Sequence, residues 1–225
     1  MSAELFRTAQ KAELLQGMRH ARMAIGRGQV VCVPTDTSYA LVADAFKPSA
    51  VAALRGARGM PERAPVSVFV PGIPTLRALA AEVAEDVAAL AAEFWPGALT
   101  LIVPAGESLL WDLGDTAGTV ALRMPANRIA LELLSETGPL AQSGAWEVGG
   151  KPLVSPAALQ KRFEASVAVV LAAAEEKPGK AVSTVIDATS LDAPQGKLRI
   201  VREGSIPIAD LFDVVSPEKF ASTKG

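Results

Sequence analysis

The sequence predicts an α/β fold: a twisted sheet, mixed in strand direction and flanked by helices. Two observations predict it. Short β-branched runs alternate with amphipathic runs of helical period along the 225 residues, half of which are apolar. The runs 99–104 and 118–125, and likewise 183–189 and 197–204, are joined by links too short for a crossover helix, so each pair is antiparallel within a sheet that is otherwise partly parallel.

The elements follow in order. Residues 8–25 carry Leu14, Leu15, Met18, Ala21 and Ile25 at helical spacing, and Gly26 and Gly28 stop that helix. QVVCVP is a buried strand ending at Pro34. Residues 48–57 are helical, with Pro48 near the start. PVSVFVP (65–71) is a strand, 74–93 one long Ala/Leu/Val helix, and 99–104 a further strand. GTVALRMP (118–125) is a strand, followed by a helix over 127–138 that stops at Gly138. Ser155 and Pro156 open a helix over 155–163. VAVVLAAA is a strand or a strand running into a loop, STVIDAT (183–189) and KLRIVREG (197–204) are strands, and 207–214 is a short helix.

Composition excludes several classes. The chain has 22 Lys plus Arg, 24 Asp plus Glu, one histidine (His20) and one cysteine (Cys32). An internal disulfide, a Cys-rich metal site and a His-His metal motif are therefore ruled out, and a Ser-His or Cys-His catalytic pair is disfavoured. No apolar run approaches the roughly 18–20 residues of a membrane span. The start has no compact apolar stretch of the secretory type. Together these features fit a reduced, cytoplasmic compartment. Walker A, GxGxxG, HExxH, GxSxG and CxxC patterns are all missing.

Four segments stand out. Pro34-Thr35-Asp36-Thr37-Ser38-Tyr39 puts three hydroxyls and a carboxylate at the C-terminal end of a strand, the edge where open α/β sheets bind ligands. A Pro-led turn with its side chains bonded to backbone explains the same residues. Arg55, Arg58 and Arg63 share one glycine-containing segment that could clamp a triphosphate or simply face solvent. Phe94-Trp95-Pro96-Gly97 reads as architectural, with Gly97 permitting a tight turn. Arg123, Ser183 and Arg202 each lie at a strand end.

In that order, PTDTSYALVADAF, FWPGALTLIV, TVALRMP, GPLAQSGAW, STVID and LRIVREG resemble the YrdC/Sua5 family of L-threonylcarbamoyladenylate synthases. The likeness runs from about residue 10 to residue 214, so one YrdC-like domain over 1–214 is expected, with a short tail over 215–225. The resemblance implies a twisted mixed sheet holding a large, positively charged cavity. It implies the condensation of L-threonine, bicarbonate and ATP, with Mg²⁺, to threonylcarbamoyl-AMP and pyrophosphate for the t6A modification of tRNA. It also implies binding of double-stranded RNA and no membrane partner. Position by position, Thr37, Arg123 and Ser183 match threonine-binding residues, Arg123 as the carboxylate partner. Thr119 and Arg202 match ATP-binding positions, and Arg58 the first cation of the catalytic Lys-x-Arg motif. Thr35, Asp36 and Tyr39 share the first motif and shape the cavity, and no protein-bound metal or tightly bound cofactor is implied.

Several positions depart from the pattern. Met60 stands where the family has the arginine of Lys-x-Arg. Gly144-Ala145-Trp146 replaces Ser-x-Asn, placing an indole in the cavity, and Val148-Gly149 replaces the Ser-Gly that follows. Ala40 follows the motif tyrosine in place of glycine, and Ala172-Ala173-Ala174 replaces an Asp-Gly pattern. Each lost charged hydrogen bond removes roughly 1.5–3 kcal/mol. The losses lie on the ATP side, so impaired or altered synthase activity is expected, with Arg55 or Arg63 available to compensate. The alternative is a catalytically degenerate paralogue that binds a nucleotide, a small ligand or double-stranded RNA.

Overall fold

The computed structural model describes residues 3–146, 150, 152–173, 181–191, 193 and 195–222. In chain order the elements are β1 (Glu4–Arg7), α1 (Lys11–Gly26), β2 (Val31–Pro34), β3 (Tyr39–Asp44), α2 (Pro48–Arg58), β4 (Ser67–Phe69), α3 (Ile73–Leu79), α4 (Glu85–Phe94), β5 (Leu99–Pro104), β6 (Thr119–Arg123), α5 (Arg128–Thr137), β7 (Leu140–Gly144), α6 (Pro156–Phe163), β8 (Val169–Ala172), β9 (Thr184–Asp187), β10 (Arg199–Arg202) and α7 (Ile208–Phe212). Among the described residues the strands form one sheet in the order β1-β8-β2-β3-β7-β4-β6-β5-β9-β10.

The sheet is mixed, as the pattern predicts. β1, β8 and β2 run parallel, as do β4 with β6 and β5 with β9. β5 with β6 and β9 with β10 are antiparallel, the two pairs that the short links require.

Side chains alternate across the strands and sort into two cores. Val31, Val33, Ala40, Val42, Val169 and Leu171 face α1 and α5. Cys32, Leu41, Ala43 and Val170 face the other way, toward α2 and α6. Helix ends follow local chemistry. The Asn127 side chain accepts from the backbone N–H of Ile129 and Ala130 at the start of α5. Gly59 ends α2 at φ 71°, a left-handed turn that glycine adopts without steric cost.

One expectation is corrected. The helix expected over 74–93 is two helices, α3 and α4. Ala80 turns to extended backbone and bridges Ala105, and Ala81 N–H donates to Pro104 O, so strand pairing interrupts the helix. Beyond α7, Val215 and Phe220 are buried in the larger core; Leu198 N–H donates to Lys219 O, and Ala221 N–H donates to Leu198 O. Strands β1, β3 and β7 were not anticipated; β3 directly continues the Pro34–Tyr39 motif as a hairpin partner of β2.

Candidate active site: an arginine-lined cavity on the uncovered face of the sheet

Over β4, β6, β5 and β9 the described residues pack a core on one face of the sheet and leave the other open. On β6, Val120 and Leu122 point into the core, whereas Thr119, Ala121 and Arg123 point the other way. On β5, Leu99, Leu101 and Val103 are core, and Thr100 and Ile102 are not. These alternate side chains floor a cavity of about 560 Å³, walled by Thr35, Thr37 and Ser38, by Arg58 and Met60 after α2, by Gln142–Gly144 and Trp146, and by Ser183 and Arg202. Thr35, Thr37, Arg58, Thr119, Arg123, Trp146, Ser183 and Arg202 thus meet in one place, drawn from segments up to 167 positions apart in the chain (202 − 35).

Asp36 and Tyr39 are not on the cavity wall. The Tyr39 side chain is buried in the opposite core, where its hydroxyl accepts from Ala173 N–H at 3.0 Å. Burial raises its pKa, the Ala173 bond opposing. Asp36 lies behind Arg123: both carboxylate oxygens sit 2.8 Å from Arg123 Nη2, and Oδ1 also accepts from Ala126 N–H.

Arg123 is 4% exposed and all three of its guanidinium nitrogens are engaged. Nε donates to Gly97 O at 2.9 Å, Nη1 to Thr37 Oγ1 at 3.0 Å and Nη2 to Asp36. Burial lowers its pKa, the Asp36 carboxylate opposes this, and the nearby Arg202 charge lowers it further. The Trp95-Pro96-Gly97 segment therefore serves the site through a carbonyl, while the Trp95 indole is tied to Leu99 O at 2.8 Å. A β-carbon at Gly97 would lie 2.3 Å from Phe94 O, so only glycine fits that turn.

Across the cavity, Arg202 donates through Nε and Nη2 to Ser183 O and through Nη2 to Ser183 Oγ at 3.1 Å. Thr100 Oγ1 donates to the same Ser183 Oγ at 2.9 Å. Among the described residues no carboxylate pairs with Arg202 or Arg58. Burial lowers the pKa of both, and for Arg58 the neighbouring Arg162 charge adds to it. Asp115 is the one carboxylate on the described wall, and Arg63 already holds it at 2.8 Å.

Arg55 and Arg63 do not compensate for Met60. Arg55 is buried and donates to Ala64 O and Asp112 O, joining the loop after α2 to the loop before β6. Arg63 points to solvent beside Asp115 and Asp112. Met60 Sδ accepts instead from Ser143 Oγ at 3.5 Å. The Trp146 indole packs over Gly144, and its Nε1 is buried without a hydrogen-bond partner among the described residues. Val148, Gly149 and Ala174, also noted above, lie outside the described residues.

The sequence profile of the Sua5/YciO/YrdC family, described as telomere recombination, matches residues 23–204. The chain belongs to the Sua5/YciO/YrdC family. A putative threonylcarbamoyl-AMP synthase of Mycobacterium tuberculosis is 39% identical over 212 residues, 94% of this chain and 95% of that protein. Among solved structures, the H234A/Y235A variant of Pyrococcus abyssi Sua5 superposes with TM-score 0.86 at 30% identity, covering 97% of this chain and 62% of that one. Pyrococcus abyssi Sua5 complexed with L-threonine superposes with TM-score 0.82 at 28% identity, covering 98% of this chain and 63% of that one. The mixed sheet is thus the family fold, and the archaeal relatives are longer. Family members carry threonylcarbamoyl-AMP synthase as their name, which places this chain among relatives of that activity.

The lining residues Thr100, Gln142 and Thr116 went unnoticed in the sequence. The signal was there for Thr100: a polar residue inside LTLIV, out of phase with the leucines that mark the core face.

Proposed function

We propose that the chain is a threonylcarbamoyl-AMP synthase with a weakened nucleotide side. The observation that carries this reading is the convergence of Thr37, Ser183, Arg123, Arg202 and Arg58 on one cavity, in a chain that superposes on a threonine-bound relative. In the proposed reaction bicarbonate and the threonine amine condense to a carbamate with loss of water. A carbamate oxygen then bonds to the α-phosphorus of ATP as the bond to the bridging oxygen breaks and pyrophosphate leaves. Such chemistry asks the protein for position and charge complementarity and for no nucleophile of its own. Thr37, Ser183 and Arg123 form the amino-acid end, Thr119 and Arg202 adjoin the nucleotide, and Arg58 meets phosphate.

The described residues hold no group of three or more His, Cys, Asp or Glu side chains suited to a metal ion. Asp115, the carboxylate on the wall, is paired with Arg63. In this reading Mg²⁺ enters with the triphosphate as part of the substrate.

Weakening follows from the wall opposite. Where phosphate needs donors, Met60 offers a thioether and Gly144 nothing, and one charged hydrogen bond is worth about 1.5–3 kcal/mol. The test is mass-spectrometric detection of threonylcarbamoyl-AMP from L-threonine, bicarbonate and ATP·Mg²⁺. We expect slow formation, raised roughly 10- to 100-fold by Met60→Arg. No product from either protein overturns the synthase reading. It would favour the second one, a nucleotide or small-ligand binder, for which the observation is the Trp146 indole seated in the wall.

A further inference from the structure

We propose that the Trp146 indole is a shutter on the nucleotide side of the cavity: it fills space that a polyphosphate chain would take, and it must turn out of its seat before phosphate enters. This rests on the synthase reading above and deepens it, because the weak nucleotide side becomes a closed state that can open.

The ring stands inside the cavity. Gln142 and Gly144 are alternate residues of β7 and both line the cavity, so a side chain at 144 would project into it. The indole already holds that volume. The β-carbon that Gly144 lacks would fall 2.6 Å from Nε1 and 2.9 Å from Cδ1 of the ring. The bare glycine is therefore what admits the indole. A tight turn brings it back over β7: Trp146 N–H donates to Gly144 O at 2.9 Å, two residues earlier.

The seat fails one atom of the ring. Nε1 is buried without a hydrogen-bond partner among the described residues. An indole nitrogen only donates, and a donor cut off from both water and acceptors disfavours the state that buries it. Turning the ring outward returns that N–H to water. The other two indoles are not poised in this way. Trp95 is buried with its Nε1 on Leu99 O at 2.8 Å, and Trp111 stacks on Phe46 with ring centroids 5.5 Å apart.

Charge decides what the opened cavity receives. Arg58 and Arg202 line the same cavity, and among the described residues neither has a carboxylate partner. Asp115, the carboxylate on the wall, is held by Arg63. Two uncompensated guanidinium groups suit phosphate oxygens. Closure then weakens phosphate-bearing ligands by the fraction of molecules in which the ring is seated.

Calorimetric titration of the full chain with ATP·Mg²⁺, and separately with Mg²⁺-pyrophosphate, tests this in the wild type, in Trp146→Ala and in Gly144→Ala. The first variant removes the shutter and the second evicts it from its seat. Each should bind both ligands about fivefold tighter or more. A stacking platform for the base would give the opposite order, since either change would spoil the platform. Fluorescence supplies a second readout. Saturating ATP·Mg²⁺ should shift wild-type emission to the red as the ring meets water. Trp146→Phe, which keeps Trp95 and Trp111, should show no such shift, and Gly144→Ala should be red-shifted before any ligand is added. If one of the two alanine variants fails to fold, the other and the wild-type emission still decide. Weaker or unchanged ATP binding by the folded variants, tightening for ATP without tightening for pyrophosphate, or unshifted wild-type emission at saturation overturns the shutter and leaves the synthase reading standing. ATP binding by none of the proteins overturns the nucleotide reading and this inference with it.

Discussion

A side chain at position 144 cannot share the wall with Trp146 in its present seat. A β-carbon on Gly144 would lie 2.6 Å from Nε1, 2.9 Å from Cδ1 and 3.1 Å from Cε2 of the indole. These are ring atoms, so relief requires the whole indole to turn away. Forced repacking of this kind costs about 1–3 kcal/mol. Part is returned, because Nε1 has no partner in its seat and an unsatisfied buried donor costs about 1–3 kcal/mol. Gly144→Ser should therefore destabilise the chain by about 1–2 kcal/mol. In a Trp146→Asn background the same change should cost nearly nothing, a coupling of about 1 kcal/mol or more between touching positions. Urea unfolding of the four proteins, followed by circular dichroism, measures it. Additivity of the two substitutions to within about 0.3 kcal/mol would show that the indole does not occupy this seat.

Two further outcomes are expected. Arg55→Met should cost about 2–4 kcal/mol in urea unfolding, since it removes charged bonds to Ala64 O and Asp112 O, and hydrogen exchange over 109–118 should quicken. Asp187 should support stability in an acid-sensitive way. Burial alone would raise its pKa, but the Thr189 hydroxyl at 2.7 Å, Arg199 at 2.6 Å and Thr189 N–H hold it below the ordinary 3.8. The unfolded chain thus takes up the proton first, so the stabilisation is full above about 3.8 and is lost as pH falls from there through the depressed folded value. The stability difference between wild type and Asp187→Asn should shrink over that acid range and stay constant from pH 5 to 7.

Much of the fold could be read from local chemistry, and what escaped has physical causes. Asn127, Gly138, Ser155 and Pro156 mark helix ends through groups that act within a few residues. Short links fixed the direction of β6 against β5 and of β10 against β9. β1 and β7 are only four and five residues long and owe their existence to neighbours far along the chain. The break between α3 and α4 comes from a bridge to Ala105, which no helical period can reveal. In the site, the strand-end hydroxyls announced themselves, but their roles did not. Asp36 looked like a cavity residue, yet it serves Arg123, 87 positions away. Arg55 looked like a phosphate clamp, yet its donors hold two loops together.

The most direct test of the central claim is the release of pyrophosphate by the purified chain with ATP·Mg²⁺, with L-threonine and bicarbonate supplied together or singly omitted. The account expects release that is slow and requires both co-substrates. ATP-only hydrolysis, or no release together with no ATP binding, would contradict it.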